Sequence, residues 1–243
     1  MNLVVDIGNT LAKLAVFSKN ELIFNKNYES LTVQDAQNLL NQFNIVNSII
    51  SNVRNNSVEL ENLLNEHSNF YQLNEHTNLP FKNLYATPTT LGKDRMALMA
   101  AACNLFPKQN VLVIDIGTCI TYDVVDSDKH YLGGAISPGL NLRLKALNQF
   151  TGKLPLVEFS ENEKPELVGN TTINSIKSGV YYGVKTELEG IIASYNKQYE
   201  TIQIVLTGGN AEMFDLESKN RIFADKFFLL KGLNEILEYN AKN

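Results

Sequence analysis

The stretch "VVDIGNTLAKLAVF", residues 4–17, sets an acid inside what reads as a buried strand. Leu3, Val4 and Val5 lead into Asp6, a Gly-Asn pair follows, and Leu14, Ala15, Val16 and Phe17 resume the apolar pattern. A carboxylate in such surroundings is costly unless a charge or hydrogen-bond donors meet it. Nearly the same phrase, "VIDIGTCITYDVV", returns at residues 113–125. Laying Asp6 on Asp115 pairs Val4 with Val113, Ile7 with Ile116, Gly8 with Gly117 and Val16 with Val125. Agreement across a whole strand-turn-strand points to an internal duplication.

In both copies a strand ends in Asp, Gly opens a tight turn, and Thr10 or Thr118 sits in or beside that turn. Glycine accepts positive φ and lets a backbone come close to a ligand. Successive N–H groups in such a turn form an anion-binding concavity. An acid beside bound phosphate calls for a cation between them, and magnesium takes one or two carboxylates together with phosphate oxygens. Either turn alone could be an ordinary hairpin corner, where Asp and Gly are frequent. Two of them, at equivalent places, favour a site. A third element, "IVLTGGNAEMF" at 204–214, runs an apolar strand into Gly208-Gly209 and an expected helix. Small residues there admit a flat aromatic group, and a helix start favours negative charge.

Composition narrows the field. The 243 residues suffice for one large domain or two of ordinary size. With 44% hydrophobic and 19% charged residues the chain reads as globular, not disordered. A net charge of −5 leaves no basic stripe for nucleic acid. No apolar run reaches the roughly 18 residues of a membrane span. The N-terminus lacks a basic segment and Asp6 interrupts its apolar stretch, so no export signal is visible and a cytoplasmic location is expected. Cys103 and Cys119 have no metal-ligand spacing and read as reduced thiols. His67, His76 and His130 are scattered and read as surface or structural residues.

Periodicity places strands at 3–7, 11–17, 21–28, 46–51 and 69–73, with helices at 33–43 and 57–66. The stretch 75–90, rich in Thr, Asn and Pro, reads as irregular, and a helix is expected from about Leu91 to Phe106. The order then restarts: strands at 110–116, 119–125 and 130–136, a helix at 139–149, and a long helix opening at 171–172. A strand at 202–206, a helix, a strand at 226–230 and a last helix close the chain. Two lobes, 1–108 and 109–243, are expected.

Two Asp-Gly-Thr-type hairpins followed by a Gly-Gly turn resemble the superfamily of acetate and sugar kinases, actin and heat-shock chaperone ATPases. The resemblance implies an α/β fold of two ribonuclease H-like lobes, each with a central mixed sheet. More narrowly, the chain resembles the type III pantothenate kinases over essentially its full length. The matching stretches are "DIGNTLAK" (6–13), Tyr85 before "TPTTLGKDR" (87–95), "DIGTCITYD" (115–123), "GGAISPG" (133–139) and "TTINSIKSG" (171–179). Gly-x-Asp-Arg and Gly-Gly-x-Ile-x-Pro-Gly are more specific than either hairpin.

That resemblance implies transfer of a phosphoryl group from ATP to pantothenate, the entry to coenzyme A. Asp94 would be the general base, since a positioned carboxylate can accept the acceptor hydroxyl's proton. Arg95 could fork onto the substrate carboxylate or a phosphate oxygen. Tyr85, Gly92, Lys93, Asp94, Arg95 and Thr172 correspond to the family's pantothenate contacts, although Thr172 could equally be a helix-capping hydroxyl. Asp6, Ile7, Gly8, Asn9, Thr10, Leu11, Ala12 and Lys13 would hold ATP, with Mg2+ on Asp6, and Thr118 would add a hydroxyl to the phosphates. Lys13 could instead point to solvent. Asp115 corresponds to the family's monovalent-cation ligand, implying K+ or NH4+. Cys119 stands where alanine is usual, and Lys93 where a small or apolar residue is usual; an ammonium close to Asp94 would weaken the base. Gly179 and Gly183 allow close approach by the chain's own sheet or by a partner, and a homodimer is implied. A small-sugar kinase and a non-catalytic regulatory relative are the rival readings.

Overall fold

Three N-terminal strands, β1 (Asn2–Ile7), β2 (Ala12–Ser18) and β3 (Glu21–Tyr28), form an antiparallel meander. They open the computed structural model, which describes residues 1–53, 57–160, 163–216 and 221–242. Helix α1 (Val33–Gln42) starts at a reciprocal cap: Thr32 accepts from the Asp35 N–H, and the Asp35 carboxylate accepts from the Thr32 N–H. It carries the chain back to β4 (Asn47–Asn52), which pairs parallel to β1. Helix α2 (Val58–His67) then leads to β5 (Asn69–Gln72), parallel to β4. The sheet order is β3-β2-β1-β4-β5. Leu3, Val5, Leu14 and Val16 share a core cluster with Ala36, Leu39, Leu60 and Leu64, so α1 and α2 cover one sheet face. The short β6 (Lys82–Asn83) lies inside the stretch expected to be irregular, and α3 (Lys93–Leu105) follows.

The pattern repeats in β7 (Val111–Ile116), β8 (Cys119–Val125) and β9 (His130–Pro138). After α4 (Leu140–Gln149) and α5 (Thr172–Gln198) come β10 (Gln203–Thr207), parallel to β7, and β11 (Ile222–Ala224), parallel to β10. The order β9-β8-β7-β10-β11 matches that of the first sheet strand for strand. The doubled hairpin is therefore the start of a doubled fold. Ile114, Ile116, Ile120 and Tyr122 pack against Leu144, Val180, Val184 and Leu188 of α4 and α5.

Helix α6 (Phe228–Ala241) ends the chain. By packing, the chain divides into two compact units. The first comprises Met1–Lys108, Val125–Gly133 and Phe227–Asn243; the second comprises Gln109–Val124 and Gly134–Lys226. In the first unit α6 lies along α3, and both face β4 on the side away from α1. Every residue from Arg95 to Cys103 is buried, as suits a helix covered on all sides. Gly232 of α6 sits on Ala97 of α3, where any Cβ would overlap the Ala97 carbonyl, so the two backbones touch. Also in this unit, β6 pairs with the start of β9 through Lys82–His130 and Asn83–Tyr131.

Two sequence expectations fail near the C-terminus. The helix expected after "TGGN" is a single 3-10 turn, Ala211–Met213. The strand expected at 226–230 is the start of α6, and the true strand lies earlier, at Ile222–Ala224. The run Phe227–Leu230 is apolar without alternation, and such a run fits a buried helix as well as a strand.

Candidate active site

In the first unit the site grows from the carboxyl ends of β1 and β4. Asp6 ends β1 with its side chain only 9% exposed. Its antiparallel neighbour on β2 is Lys13, whose Nζ is 3.7 Å from Asp6 Oδ2. Its parallel neighbour on β4 is Ser51, which hydrogen-bonds the carboxylate. Burial pushes the Asp6 pKa up; Lys13 opposes that, the charge of Asp94 adds to it, and Ser51 opposes it. These partners are what the acid in the apolar strand meets. Beyond it the turn closes through the Gly8 N–H, which donates to the Leu11 carbonyl at 3.0 Å. Asn9 and Thr10 are exposed at its tip. Neither Gly8 nor Gly117 uses the left-handed region; the described glycines that do are Gly133 (φ 103°) and Gly208 (φ 97°).

Asp94 lies in the first turn of α3. Its Oδ1 accepts from the Arg95 N–H at 2.8 Å, where the helix dipole favours an anion. Gly92 is the N-cap, and a Cβ there would collide with Asp94 Oδ1. The glycine of "GKDR" thus leaves room for the folded-back carboxylate. Lys93 Nζ donates to the Asn52 carbonyl at 3.0 Å, which ties the start of α3 to the end of β4. Arg95 is only 4% exposed. Its guanidinium carbon lies 5.3 Å from the Tyr85 ring centre and 5.9 Å from that of Tyr131. The two rings stack at 5.9 Å and 24°, and Phe81 meets Tyr131 edge-on at 6.2 Å.

In the second unit three separate motifs meet on one hairpin. Asp115 ends β7, and the Gly117 N–H donates to the Cys119 carbonyl at 3.0 Å. The Gly139 N–H, closing "GGAISPG", donates to the Thr118 carbonyl at 3.0 Å, and a Cβ on Gly139 would overlap the Gly117 carbonyl. A Cβ on Gly208 would strike the Asp115 carboxylate, while the Asn210 N–H donates to the Ile116 carbonyl at 3.0 Å. Arg143 of α4 steadies the 137–139 turn through the Pro138 carbonyl at 2.7 Å and Ser137 Oγ at 2.9 Å, and it pairs with Glu187. Tyr122 donates to the same carboxylate at 2.7 Å. Burial would raise the Glu187 pKa, but the hydrogen bonds from Arg143 and Tyr122 outweigh it and hold it low.

Thr172 is exposed at the start of α5, and the capping hydroxyl belongs to Thr171, which accepts from the Asn174 N–H. Thr172 lines an open groove of about 1190 Å³ between α4 and α5, with Arg143, Phe150, Leu154 and Gly179 among its walls. Among the described residues a Cβ on Gly179 or Gly183 would meet nothing within 4 Å, so no close approach there uses them. Among the described residues no cluster of three or more His, Cys, Asp or Glu could hold a metal. Asp6 beside a phosphate-type turn nonetheless suits magnesium, which draws most of its oxygens from water and nucleotide. No helix among the described residues is long and apolar enough to cross a membrane.

Asp6, Lys13, Tyr85, Gly92 and Lys93–Arg95, the residues expected from the sequence, lie together in the first unit. Ser51, Tyr131, Arg143 and Glu187 were not expected. Only Tyr131 carried a signal: it precedes Gly133 by two residues on a strand and therefore shares its face.

Two sheets of equal order, each opening on an acidic hairpin, define the duplicated α/β fold of the actin-like ATPases and ROK sugar kinases. The ROK hexokinase of Thermus thermophilus shares it at a TM-score of 0.50 and 13% identity, over 99% of each chain. The chain belongs to the type III pantothenate kinase family, whose model matches residues 2–194. It is 48% identical over 242 residues to the type III pantothenate kinase of Christiangramia forsetii, covering 99% of each chain. The type III pantothenate kinase of Bacteroides fragilis is 46% identical, over 99% of this chain and 98% of its own.

Proposed function

We propose that the chain phosphorylates pantothenate with ATP, giving 4'-phosphopantothenate, the first step of coenzyme A biosynthesis. Family membership supports the reaction class. One observation supports the residue roles: Asp6, Lys13 and Asp94 converge in the first unit, with the Asp94 charge felt at the buried Asp6. Two acids in one partly desolvated place favour the arrival of positive charge, as a magnesium–nucleotide complex would bring.

In this reading Asp94 Oδ accepts the proton of the pantothenate 4'-hydroxyl as its oxygen bonds to the γ-phosphorus. The bond from that phosphorus to the β–γ bridging oxygen breaks, and ADP leaves with the electron pair. Arg95 receives the pantothenate carboxylate in its planar fork, with Tyr85 beside it. Residues 6–13 and Thr118 hold the phosphates; Lys13 neutralises charge there. Magnesium on Asp6, when bound, neutralises charge on the transferring group. Asp115 takes K+ or NH4+. Thr172 contributes to the pantothenate site, and the groove beside it belongs to a homodimer contact.

The test is a coupled ADP assay over a panel of acceptors, with magnesium and either potassium or sodium, and with the product identified by mass. Expected results are turnover with pantothenate but not with hexoses or amino sugars, and a marked loss of rate in sodium. Asp94→Asn should lose about 10²- to 10⁴-fold in kcat while ADP binding survives. Full activity in that variant would remove Asp94 as the base, and equal rates in both salts would remove the cation role.

A further inference from the structure

Arg95 is a buried cation set beside two aromatic rings. Tyr85 and Tyr131 lie within 6 Å of its guanidinium carbon and stack on each other. Guanidinium is weakly hydrated and packs well on aromatic rings, and its five N–H donors lie in one plane. Two rings within 6 Å of its central carbon, one of them fully buried, therefore restrict where the fork can lie. Tyr131 is completely buried, and Phe81 packs edge-on against it, so its ring cannot follow a moving arginine. Gly133, two residues on and at φ 103°, brings the β9 backbone against the Tyr85 ring: a Cβ there would lie 3.4 Å from Tyr85 Cδ2. One short piece of β9 thus sets both the arginine and the tyrosine.

We infer that Tyr131 is a positioning residue for the acceptor: its ring holds the Arg95 fork and the Tyr85 ring in the orientation that receives the substrate carboxylate. This role rests on the pantothenate kinase reading above. It requires that removing the ring harm recognition of the carboxylate more than recognition of the rest of the acceptor, and that nucleotide use be spared.

Steady-state kinetics of the full chain test it, with pantothenate and with pantothenol, which bears an alcohol in place of the carboxylate. For Tyr131→Leu the KM for pantothenate should rise about ten-fold, with the KM for ATP within about two-fold of wild type. The preference for pantothenate over pantothenol in kcat/KM should fall by a similar factor, which general loosening of the fold would not produce. Tyr131→Phe keeps both ring faces and should stay within about three-fold of wild type. Tyr131→Met fills much of the space without a ring, so it carries the same test should the leucine variant fail to fold. An unchanged acceptor preference in a folded Leu or Met variant would overturn the positioning role alone. A wild-type chain that ignores pantothenate would overturn the kinase reading, and this role with it.

Discussion

Asp6 shows why an acid can persist at the end of a buried strand. Burial raises its pKa above the ordinary 3.8, and Lys13 and Ser51 offset only part of that. The folded chain therefore keeps this proton to higher pH than the unfolded chain does. Between 3.8 and the raised value the folded state binds more protons, so its stability falls as pH rises. Above pH 3.8 burial of this carboxyl is therefore a standing cost to the fold, which function explains and packing does not. Asp6→Asn should then melt at a higher temperature than wild type near pH 7, with the gain disappearing below the unfolded pKa. Phosphoryl transfer should be lost in the same variant. Thermal denaturation across acid to neutral pH checks this; a lower melting point near neutrality would mean that Lys13 and Ser51 more than repay the burial. Gly92 works at the same scale, because the absence of a single Cβ leaves the Asp94 carboxylate room to fold over the helix start.

Elements meet in this protein through glycines that let backbones touch. In the first unit Gly232 seats α6 on α3, the helix that carries Asp94 and Arg95. In the second, Gly139 starts α4 and donates to the Thr118 carbonyl, with its Cα against the Gly117–Thr118 hairpin. Both neighbours of Gly139 are main-chain atoms and cannot rotate aside. Gly139→Ala must therefore move the hairpin or the start of α4, at about 1–3 kcal/mol for overpacking. If the hairpin holds phosphate, the KM for ATP should rise about ten-fold or more, while the KM for pantothenate changes little. Kinetics beside a melting curve check it; a destabilised variant with an unchanged ATP KM would separate the hairpin from the nucleotide. The Arg143–Glu187–Tyr122 network serves the same turn from the other side by holding Ser137 and Pro138.

At the scale of the molecule the two sheets repeat one order, and the groove between α4 and α5 leaves apolar side chains in water. Phe150, on that groove, is 80% exposed, and Leu167 and Val168, which lead into its Gly169, are 66% and 82% exposed, as a homodimer contact would require. Wild type should sediment as two chains and Phe150→Asp as one; a wild-type monomer at micromolar concentration would count against the homodimer. The duplication and the places of both acidic hairpins were legible in the sequence, as were "GKDR" and nearly every strand before residue 207. Such features depend on side-chain alternation and turn chemistry within a few residues, and those act wherever the segment ends up. The C-terminal helix was legible as a helix, but its place beside α3 was not. Nor could any local pattern show Tyr131 behind Arg95, Gly139 on Thr118, or Thr171 in place of Thr172 as the cap. Those contacts join residues far apart in the chain or turn on a single backbone angle, so only the folded path, with its close packing and its excluded Cβ atoms, decided them.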